Sequence, residues 1–285
     1  MTGALGVKIP FTKMHGAGND YVYVNGFEVK IADPAAVARA VSPRRKGIGS
    51  DGLILIQPSS VAAVRMEMYN ADGSRGEMCG NGIRCVGKYA YEHGLSRDNP
   101  MRVETDAGVK TLELDVESGT VRSVNVDMGE PILEPARIPV RFDARRVVDA
   151  PLEVGGDSYR VTCISMGNPH CVVFVDGIAG LDLETIGPRF ERHERFPKGI
   201  NTEFIEIVDR GEVRMRVWER GSGETAACGT GACAAAVAGA LTGRTARRVL
   251  VHLTGGDLTI EWRASDDHVA MRGEAVEVFC GEIDV

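Results

Sequence analysis

The chain has 285 residues, of which 44% are hydrophobic and 26% are charged, and its formal net charge is −7 at pH 7. This size and composition are typical of one large globular domain or two ordinary ones. The acidic balance and the lack of a basic run argue against a nucleic-acid partner. No stretch has the roughly 18 consecutive apolar residues that a membrane helix needs, so we expect no membrane partner.

The N-terminal segment MTGALGVKIPFTK and the cysteine content both bear on the compartment. The segment has no long apolar core, so it does not fit a secretory signal. Seven cysteines in a chain without such a signal favour free thiols in a reducing compartment. We therefore expect a cytoplasmic protein.

In chain order, the first half places strand-like segments before one helix. GIGSDG at 47–52 fits the G-x-G-x-x-G spacing of a dinucleotide loop, but the apolar LILIQP that follows ends at Pro58 and indicates a strand. The dinucleotide motif requires a helix at that point. VRMEMYN at 64–70 alternates apolar and polar residues, which is typical of a half-buried strand. The segment 80–93 predicts a helix that ends at Gly94.

The second half repeats these segments in the same order. VRMRVWE at 213–219 matches VRMEMYN, and Cys228 corresponds to Cys79, in both cases at an offset of 149. KGINTEFIEI at 198–207 resembles KGIGSDGLILI at an offset of 152, and GNPHCVVFVD at 167–176 resembles GNDYVYVN at about 150. Four segments in register predict an internal duplication.

These patterns predict an α+β fold of two homologous, pseudo-symmetric domains, each a mostly antiparallel β-sheet wrapped around a central α-helix. We expect the first domain to span 1–130 and the second 131–274, with a C-terminal strand at 275–285 that returns to the first. Three prolines in MGEPILEPARIPV favour a join there. The second predicted helix, at 229–242, is rich in Ala and Gly, which suits close packing.

Cys79 and Cys228 each precede a helix in a glycine-rich turn, in MCGNGIRC and ACGTGACAAA. The first N–H groups of a helix lack intrahelical partners and carry partial positive charge. That environment lowers the pKa of a thiol and also binds carboxylates. We expect two related halves to bring both thiols to one cleft, where one removes a proton from a carbon and the other delivers one to the opposite face. From residue type alone, two buried cysteines kept for packing explain the pattern equally well.

The segment NADGSRGEMCGNGIR at 70–84 resembles the signature of the diaminopimelate epimerase family. KMHGAGNDYVYVN, SMGNPHCVVFVD, GINTEF and ERGSGETAACGTGACAA are similar to the family's other blocks, in the family's order, from about residue 11 to the C-terminus. The resemblance implies a cofactor-free isomerase that interconverts LL- and meso-diaminopimelate with a thiolate/thiol pair. It also implies a role in making precursors of lysine and peptidoglycan, and a homodimer.

The resemblance also implies roles for single residues. It makes Cys79 and Cys228 the two acid/base groups, and His170 a polar neighbour that supports the thiols. Gly52 stands where some members carry a Gln that touches substrate. The implied substrate contacts are Asn19, Asn70, Gly80, Asn81, Asn168, Asn201, Glu219, Arg220, Gly229 and Thr230. Among these, Arg220 can hold a carboxylate through two parallel hydrogen bonds.

Other interpretations of the sequence stay open. A racemase or epimerase of another amino acid, of the proline type, would also use two cysteines, whereas the phenazine-pathway isomerases lack the pair. A non-catalytic amino-acid-binding protein would bind its ligand without proton exchange. A redox sensor would oxidise the two thiols to a disulfide. The cysteine spacings and the scattered histidines do not fit a zinc site, so we expect no metal.

Overall fold

The structure is a computed structural model in which residues 8–284 are described. It contains two compact units, one formed by the chain up to Val126 together with the segment from Gly273 onward, and the other by the residues from Asp127 to Arg272. The predicted α+β class with two related halves is confirmed. The predicted first domain begins, and the predicted C-terminal strand ends, outside the described residues. No helix within 8–284 is long and apolar enough to cross a membrane.

The elements are numbered along the chain. The strands are β1 Lys8–Gly16, β2 Asn19–Asn25, β3 Gly52–Gln57, β4 Val64–Asn70, β5 Arg75–Gly76, β6 Met101–Thr105, β7 Gly108–Glu117, β8 Thr120–Asp127, β9 Ala150–Val154, β10 Asp157–Ser165, β11 Pro169–Phe174, β12 Asn201–Asp209, β13 Glu212–Glu219, β14 Gly223–Thr225, β15 Arg248–Leu253, β16 Gly256–Trp262, β17 Val269–Gly273 and β18 Val276–Asp284. The α-helices are α1 Pro34–Val41, α2 Gly80–Glu92, α3 Leu183–Glu191 and α4 Gly229–Leu241, and a short 3-10 helix covers Pro135–Arg137.

In the first unit, β1 pairs antiparallel with both β18 and β2. β2 pairs parallel with β3, and β3 antiparallel with β4. β4 is antiparallel to the short β5 and parallel to β6, and β6, β7 and β8 form an antiparallel meander. The GIGSDG turn therefore leads into strand β3 and not into a helix, so it lacks the structure that a dinucleotide loop requires.

The second unit repeats this pairing order. β10 is antiparallel to β11, β11 parallel to β12, and β12 antiparallel to β13, which is antiparallel to β14 and parallel to β15. In the parallel pairs, Tyr21 lies beside Gly52 and His170 beside Asn201, so the sheet repeats at an offset of 149. The offset of 152 between Lys46 and Lys198 becomes 149 within the strands that follow. Three extra residues, Gly49 to Asp51, separate KGI from β3 in the first unit.

The central helices α2 and α4 end as the glycine signals predict. Gly94 and Gly243 follow them with φ of +74° and +69°, a left-handed conformation that favours glycine. Helix α4 is built mostly from Ala and Gly, and almost all of it is buried against β10, β11, β12 and β16. A Cβ at Gly231 would lie only 2.6 Å from Oε1 of Glu203. Glycine at this position therefore lets the helix approach β12 closely.

Candidate active site

Cys79 is the N-cap residue of α2, and Gly80 is the first residue of that helix. The Cys79 thiol is half-buried. Its Sγ accepts a hydrogen bond from the Gly82 N–H at 3.3 Å. The same sulfur lies 3.0 Å from Oδ1 of Asn19, to which the thiol donates. Cys79 is therefore held between a helix N-terminus and a side-chain amide.

Asn19 is bonded in turn to Asp51, a residue that the sequence did not single out. Asn19 Nδ2 donates to Asp51 Oδ2 at 2.7 Å, and the Asp20 N–H donates to the same oxygen at 3.1 Å. Burial and the negative charge of Asp20 raise the pKa of Asp51. Although burial opposes it, hydrogen bonds from Arg44 and Lys13 lower the pKa of Asp20. An acidic and basic network thus supports the amide beside the thiol.

The remaining predicted residues of the first unit lie near the end of β4 and the start of α2. Asn70 pairs opposite Gly52, and its Nδ2 donates to Ser74 Oγ at 2.9 Å. Asn81 is buried, and its Oδ1 has no hydrogen-bond partner among residues 8–284. A Cβ at Gly52 would collide with the carbonyl oxygen of Tyr69. The side chain that some family members carry at that position therefore does not fit this backbone.

Cys228 is the N-cap residue of α4, which begins at Gly229, and it is only 5% exposed. Its Sγ lies 3.5 Å from the Thr230 hydroxyl. Burial, and then the carboxylates of Glu219 and Glu203, raise the pKa of Cys228 well above its ordinary value. The expectation of a lowered thiol pKa is therefore wrong for Cys228. Desolvation and two nearby acidic groups outweigh the helix N-terminus.

A fully buried histidine–carboxylate pair lies beside Cys228. His170 Nδ1 is 2.7 Å from Glu203 Oε1, and His170 Nε2 is 3.0 Å from Asn168 Oδ1. The two ring nitrogens of His170 are therefore both engaged, one by the Glu203 carboxyl group and the other by the Asn168 amide. One ring nitrogen of His170 and one carboxyl oxygen of Glu203 lie within 4.8 Å of the Cys228 sulfur. Glu203 was not predicted, since a lone Glu in a strand carries no local signal.

His170, Glu203 and Cys228 also offer the nitrogen, oxygen and sulfur donors that zinc can use. Two ligands of one tetrahedral zinc ion lie about 3.3 Å apart for bonds of about 2.0 Å. His170 Nδ1 and Glu203 Oε1 are closer than that, at 2.7 Å, and bond to each other. The observed arrangement is therefore a hydrogen-bonded pair, which a metal would have to separate.

Asn201 and Arg220 form the polar end of the second unit's site, next to Glu219 at the end of β13. Asn201 Nδ2 donates to the Pro169 carbonyl at 2.8 Å, and its Oδ1 accepts from the Arg220 N–H at 2.9 Å. The exposed Arg220 guanidinium donates to the Lys198 carbonyl at 3.0 Å. Its other N–H groups are suited to a carboxylate held in a two-point contact.

The predicted residues thus fall into one set in each unit. The duplication relates Cys79 to Cys228, Asn19 to Asn168, and Asn70 to Glu219, and it places Gly52 where the second unit has Asn201. The first set is Asn19, Asn70, Cys79, Gly80 and Asn81, and the second is Asn168, His170, Asn201, Glu219, Arg220, Cys228, Gly229 and Thr230. The two sets differ most in their acidic neighbour: Asp51 contacts Asn19 in the first unit, and Glu203 contacts His170 in the second.

Relative to the wild type, the Glu203→Gln variant is expected to have a higher free energy of unfolding at pH 8 than at pH 4. Burial raises the pKa of Glu203 above 4.5, although the charge of His170 opposes the rise. The contribution of Glu203 to stability is therefore complete below about pH 4.5 and is lost as pH rises through the raised pKa. Glu203→Gln removes this pH-dependent loss while keeping the shape, so the stability of the variant relative to the wild type should be higher at pH 8 than at pH 4. Denaturant titrations at both pH values measure the difference.

The matched control for that prediction is Glu206→Gln in the same strand. The Ile178 N–H and Arg214 lower the pKa of Glu206. Its contribution to stability is therefore present above its unfolded pKa and lost as pH falls. Glu206→Gln should cost more stability at pH 8 than at pH 4. A Glu203→Gln variant that loses more stability at pH 8 than at pH 4, in parallel with Glu206→Gln, would contradict the prediction.

Solved structures with a similar fold include several epimerases and related enzymes. A hydroxyproline epimerase from Agrobacterium vitis with bound trans-4-hydroxy-L-proline matches with a TM-score of 0.69 at 18% identity, over 97% of this chain and 91% of that chain. A PhzF-family phenazine biosynthesis protein from Bacillus anthracis matches with a TM-score of 0.72 at 16% identity, over 98% and 100% of the two chains. These likenesses define the class of fold, a duplicated α+β fold shared with epimerases.

The comparison of sequences identifies the family within that class. The family described as diaminopimelate epimerase matches residues 11–134 and 162–278. A diaminopimelate epimerase from Agathobacter rectalis is 59% identical over 282 residues, covering 96% of this chain and 99% of the relative. One from Acetivibrio thermocellus is 56% identical over 275 residues, covering 96% and 98%. The chain belongs to the diaminopimelate epimerase family.

Proposed function

We propose that this protein interconverts LL- and meso-diaminopimelate by moving the α-proton between substrate and two thiols, those of Cys79 and Cys228. The observation that carries the proposal is the repeated placement of a cysteine at the N-cap of the central helix in each unit. Membership of the family supplies the substrate. The reaction needs an acid and a base, which two thiols provide, so the proposal includes no organic cofactor.

Each turnover uses one thiolate and one thiol. The thiolate takes the α-proton, and the electron pair of the C–H bond spreads onto the adjacent carboxylate. The second thiol then donates its proton to the opposite face of the carbon, which inverts it. The first sulfur has become a thiol and the second a thiolate, so proton and charge balance, and the reverse reaction starts from this state.

The helix N-termini stabilise the charge that develops on the substrate. Main-chain N–H groups of Gly80 and Asn81, or of Gly229 and Thr230, are suited to hold the reacting carboxylate, because helix N-termini bind anions. Cys228 serves as the initial thiol, since burial and two carboxylates raise its pKa. Cys79 is then the initial base. Its sulfur accepts the Gly82 N–H, a contact that favours a thiolate.

The far end of the substrate carries a second carboxylate and a second ammonium group. Arg220 is suited to the carboxylate, because its exposed guanidinium can form two parallel charge-assisted hydrogen bonds. The amide side chains of Asn70, Asn168 and Asn201 offer both donors and acceptors for the charged groups. This set favours a long substrate with two charged ends over a ring with a single carboxylate.

The proposal includes a cytoplasmic homodimer acting in lysine biosynthesis. The homodimer rests on the family resemblance, and light scattering of the purified protein tests it. All seven cysteines are free thiols. Free thiols are what a reducing compartment maintains.

Conversion of LL-diaminopimelate to the meso isomer tests the proposed function. The purified protein is incubated with LL-diaminopimelate and a thiol reductant, and the isomers are separated by chiral chromatography. We expect conversion until the two isomers reach equilibrium. Parallel reactions contain L-proline and trans-4-hydroxy-L-proline. Inversion of either of these without conversion of diaminopimelate would favour the proline-type racemase, and binding without inversion of any substrate would favour a binding protein.

A further inference from the structure

We propose that Asp51 is a positioning residue, whose carboxylate turns the Asn19 amide so that its oxygen, and not its nitrogen, faces Cys79. This inference rests on the proposed function of Cys79 and deepens it. It adds to the site a group that does not touch the sulfur but determines what the sulfur contacts.

The orientation of the Asn19 amide follows from the chemistry of its two neighbours. A carboxylate can only accept hydrogen bonds, so the amide nitrogen must face Asp51. Asn19 Nδ2 lies 2.7 Å from Asp51 Oδ2, and Asn19 Oδ1 lies 3.0 Å from Cys79 Sγ. Turning the amide by 180° would place its oxygen against the carboxylate and lose the charge-assisted hydrogen bond. The amide therefore presents an acceptor to the thiol.

Asp51 is held in place by donors other than Asn19. Its Oδ2 accepts the Asp20 N–H at 3.1 Å, and its Oδ1 accepts from Arg44 at 2.9 Å. Arg44 is itself fixed by a two-point contact with the Asp20 carboxylate, at 3.0 and 2.7 Å. The carboxylate is thus anchored before it meets Asn19, which lets it dictate the orientation of the amide.

The orientation matters because the contacts of Cys79 with Asn19 and with Gly82 have opposite effects on its proton. The Asn19 oxygen accepts the S–H and so favours the thiol, whereas the Gly82 N–H donates to sulfur and favours the thiolate. If the amide turned, N–H groups would face the sulfur from both sides. Asp51 therefore keeps one hydrogen-bond acceptor and one donor at the Cys79 sulfur, which suits a group that must both take and give a proton.

Other ionisable groups near this network do not account for a change near neutral pH. Tyr23 and Cys85 face Cys79 from β2 and α2. Burial raises the pKa of Cys85 to about 11 and that of Tyr23 well above 10, so both are neutral at pH 7. Asp20 and Arg44 face Asp51 and remain charged.

The second unit has no equivalent of this contact. Asp51 is one of the three extra residues of the first unit and has no counterpart in the second, where Ile200 of the KGI segment directly precedes β12. Asn168, the counterpart of Asn19, is bonded to His170 instead. A change at Asp51 should therefore affect Cys79 and leave Cys228 as it was, which makes Cys228 an internal control.

Asp51→Asn tests the inference, because it keeps the shape but lets the Asn19 amide turn. Alkylation by iodoacetamide at pH 7 is followed separately at Cys79 and Cys228 by mass spectrometry of their peptides. We expect Cys79 to react about fivefold faster than in the wild type, the effect of about one hydrogen bond exchanged for another. Cys228 should change by less than about twofold, while kcat for epimerisation falls about tenfold. Asp51→Ser repeats the test if Asp51→Asn does not fold.

The matched control is Asp98→Asn, the same change at an exposed aspartate of the first unit whose hydrogen bond is to Ser96 and not to the Asp51 network. Its Cys79 should alkylate at the wild-type rate. The inference is overturned if Cys79 reacts equally fast in wild type and Asp51→Asn, if Cys79 and Cys228 accelerate together, or if Asp98→Asn has the same effect. Alkylation does not need turnover, whereas a wild type that fails to epimerise diaminopimelate would contradict the proposed function itself.

Discussion

Replacement of either Cys79 or Cys228 by Ala is expected to lower kcat for epimerisation of diaminopimelate by about 10³-fold. Each direction of the reaction needs one sulfur to remove a proton and the other to supply one, so neither sulfur is dispensable. The loss should appear in both directions of the reaction. Initial rates from each isomer, with folding checked by circular dichroism, measure it.

The residual activity of the single-cysteine variants is informative as well. One remaining thiol can remove the α-proton and return it only to the same face, so slow exchange with solvent without inversion is expected. Cys280→Ser is the control, because Cys280 is an exposed cysteine on β18 with no assigned role. Its rate should stay within about twofold of wild type, in line with other exposed substitutions. A Cys79→Ala or Cys228→Ala variant with more than a tenth of the wild-type rate would contradict the assignment.

Replacement of Arg220 by Met is expected to lower kcat/KM for diaminopimelate by about 100-fold, mostly through KM. A charge-assisted hydrogen bond to a carboxylate contributes about 1.5–3 kcal/mol, and this contribution is lost with the guanidinium. Arg220→Lys keeps the charge but loses the planar two-point contact. Its kcat/KM should therefore lie between those of Arg220→Met and the wild type. Steady-state kinetics of the three proteins measure the order.

L-Lysine provides the matched substrate for Arg220, because it lacks the second carboxylate of diaminopimelate. Exchange of its α-proton with solvent should already be slow in the wild type and should not slow further in Arg220→Met. Changing the substrate and changing Arg220, separately and together, gives a double-mutant cycle. If the two effects on the exchange rate are not additive, Arg220 contacts the distal carboxylate. Equal losses for both substrates would show that Arg220 does not bind the distal carboxylate.

Much of the fold could be predicted because its signals are local and repeated. The Gly94 and Gly243 stops and the alternating VRMEMYN and VRMRVWE segments each depend on neighbours within a few residues. Because the chain is duplicated, each local pattern found in the first half also predicted the corresponding element of the second half. The cysteines at 79 and 228 were found by the same logic, since an N-cap position is read from the turn before a helix.

Two acidic residues of the site, Asp51 and Glu203, could not be predicted in this way. Asp51 meets Asn19 from 32 residues along the chain, and Glu203 meets His170 from 33. Neither contact leaves a pattern in the sequence around it. The KGI similarity also hid the fact that three extra residues shift Asp51 out of register with the second unit.

The pKa of Cys228 shows a second reason for failure. A helix N-terminus is visible in the sequence and argues for a lowered thiol pKa. Burial of the sulfur and the approach of Glu219 and Glu203 are tertiary effects, and they reverse the direction. The contact between Gly52 and the Tyr69 carbonyl oxygen is another tertiary constraint. Because a Cβ at Gly52 would collide with that oxygen, a larger residue does not fit there.

The central claim is that two different groups handle the proton on the two faces of the α-carbon. The most direct test is the reaction of LL-diaminopimelate in D2O, stopped within the first few per cent of conversion and analysed by NMR and mass spectrometry. The two-thiol account predicts that the meso product carries deuterium at the inverted carbon while the remaining LL substrate is still protiated. Meso product that retains the original proton would mean that a single group moves the proton between faces, and would contradict the account.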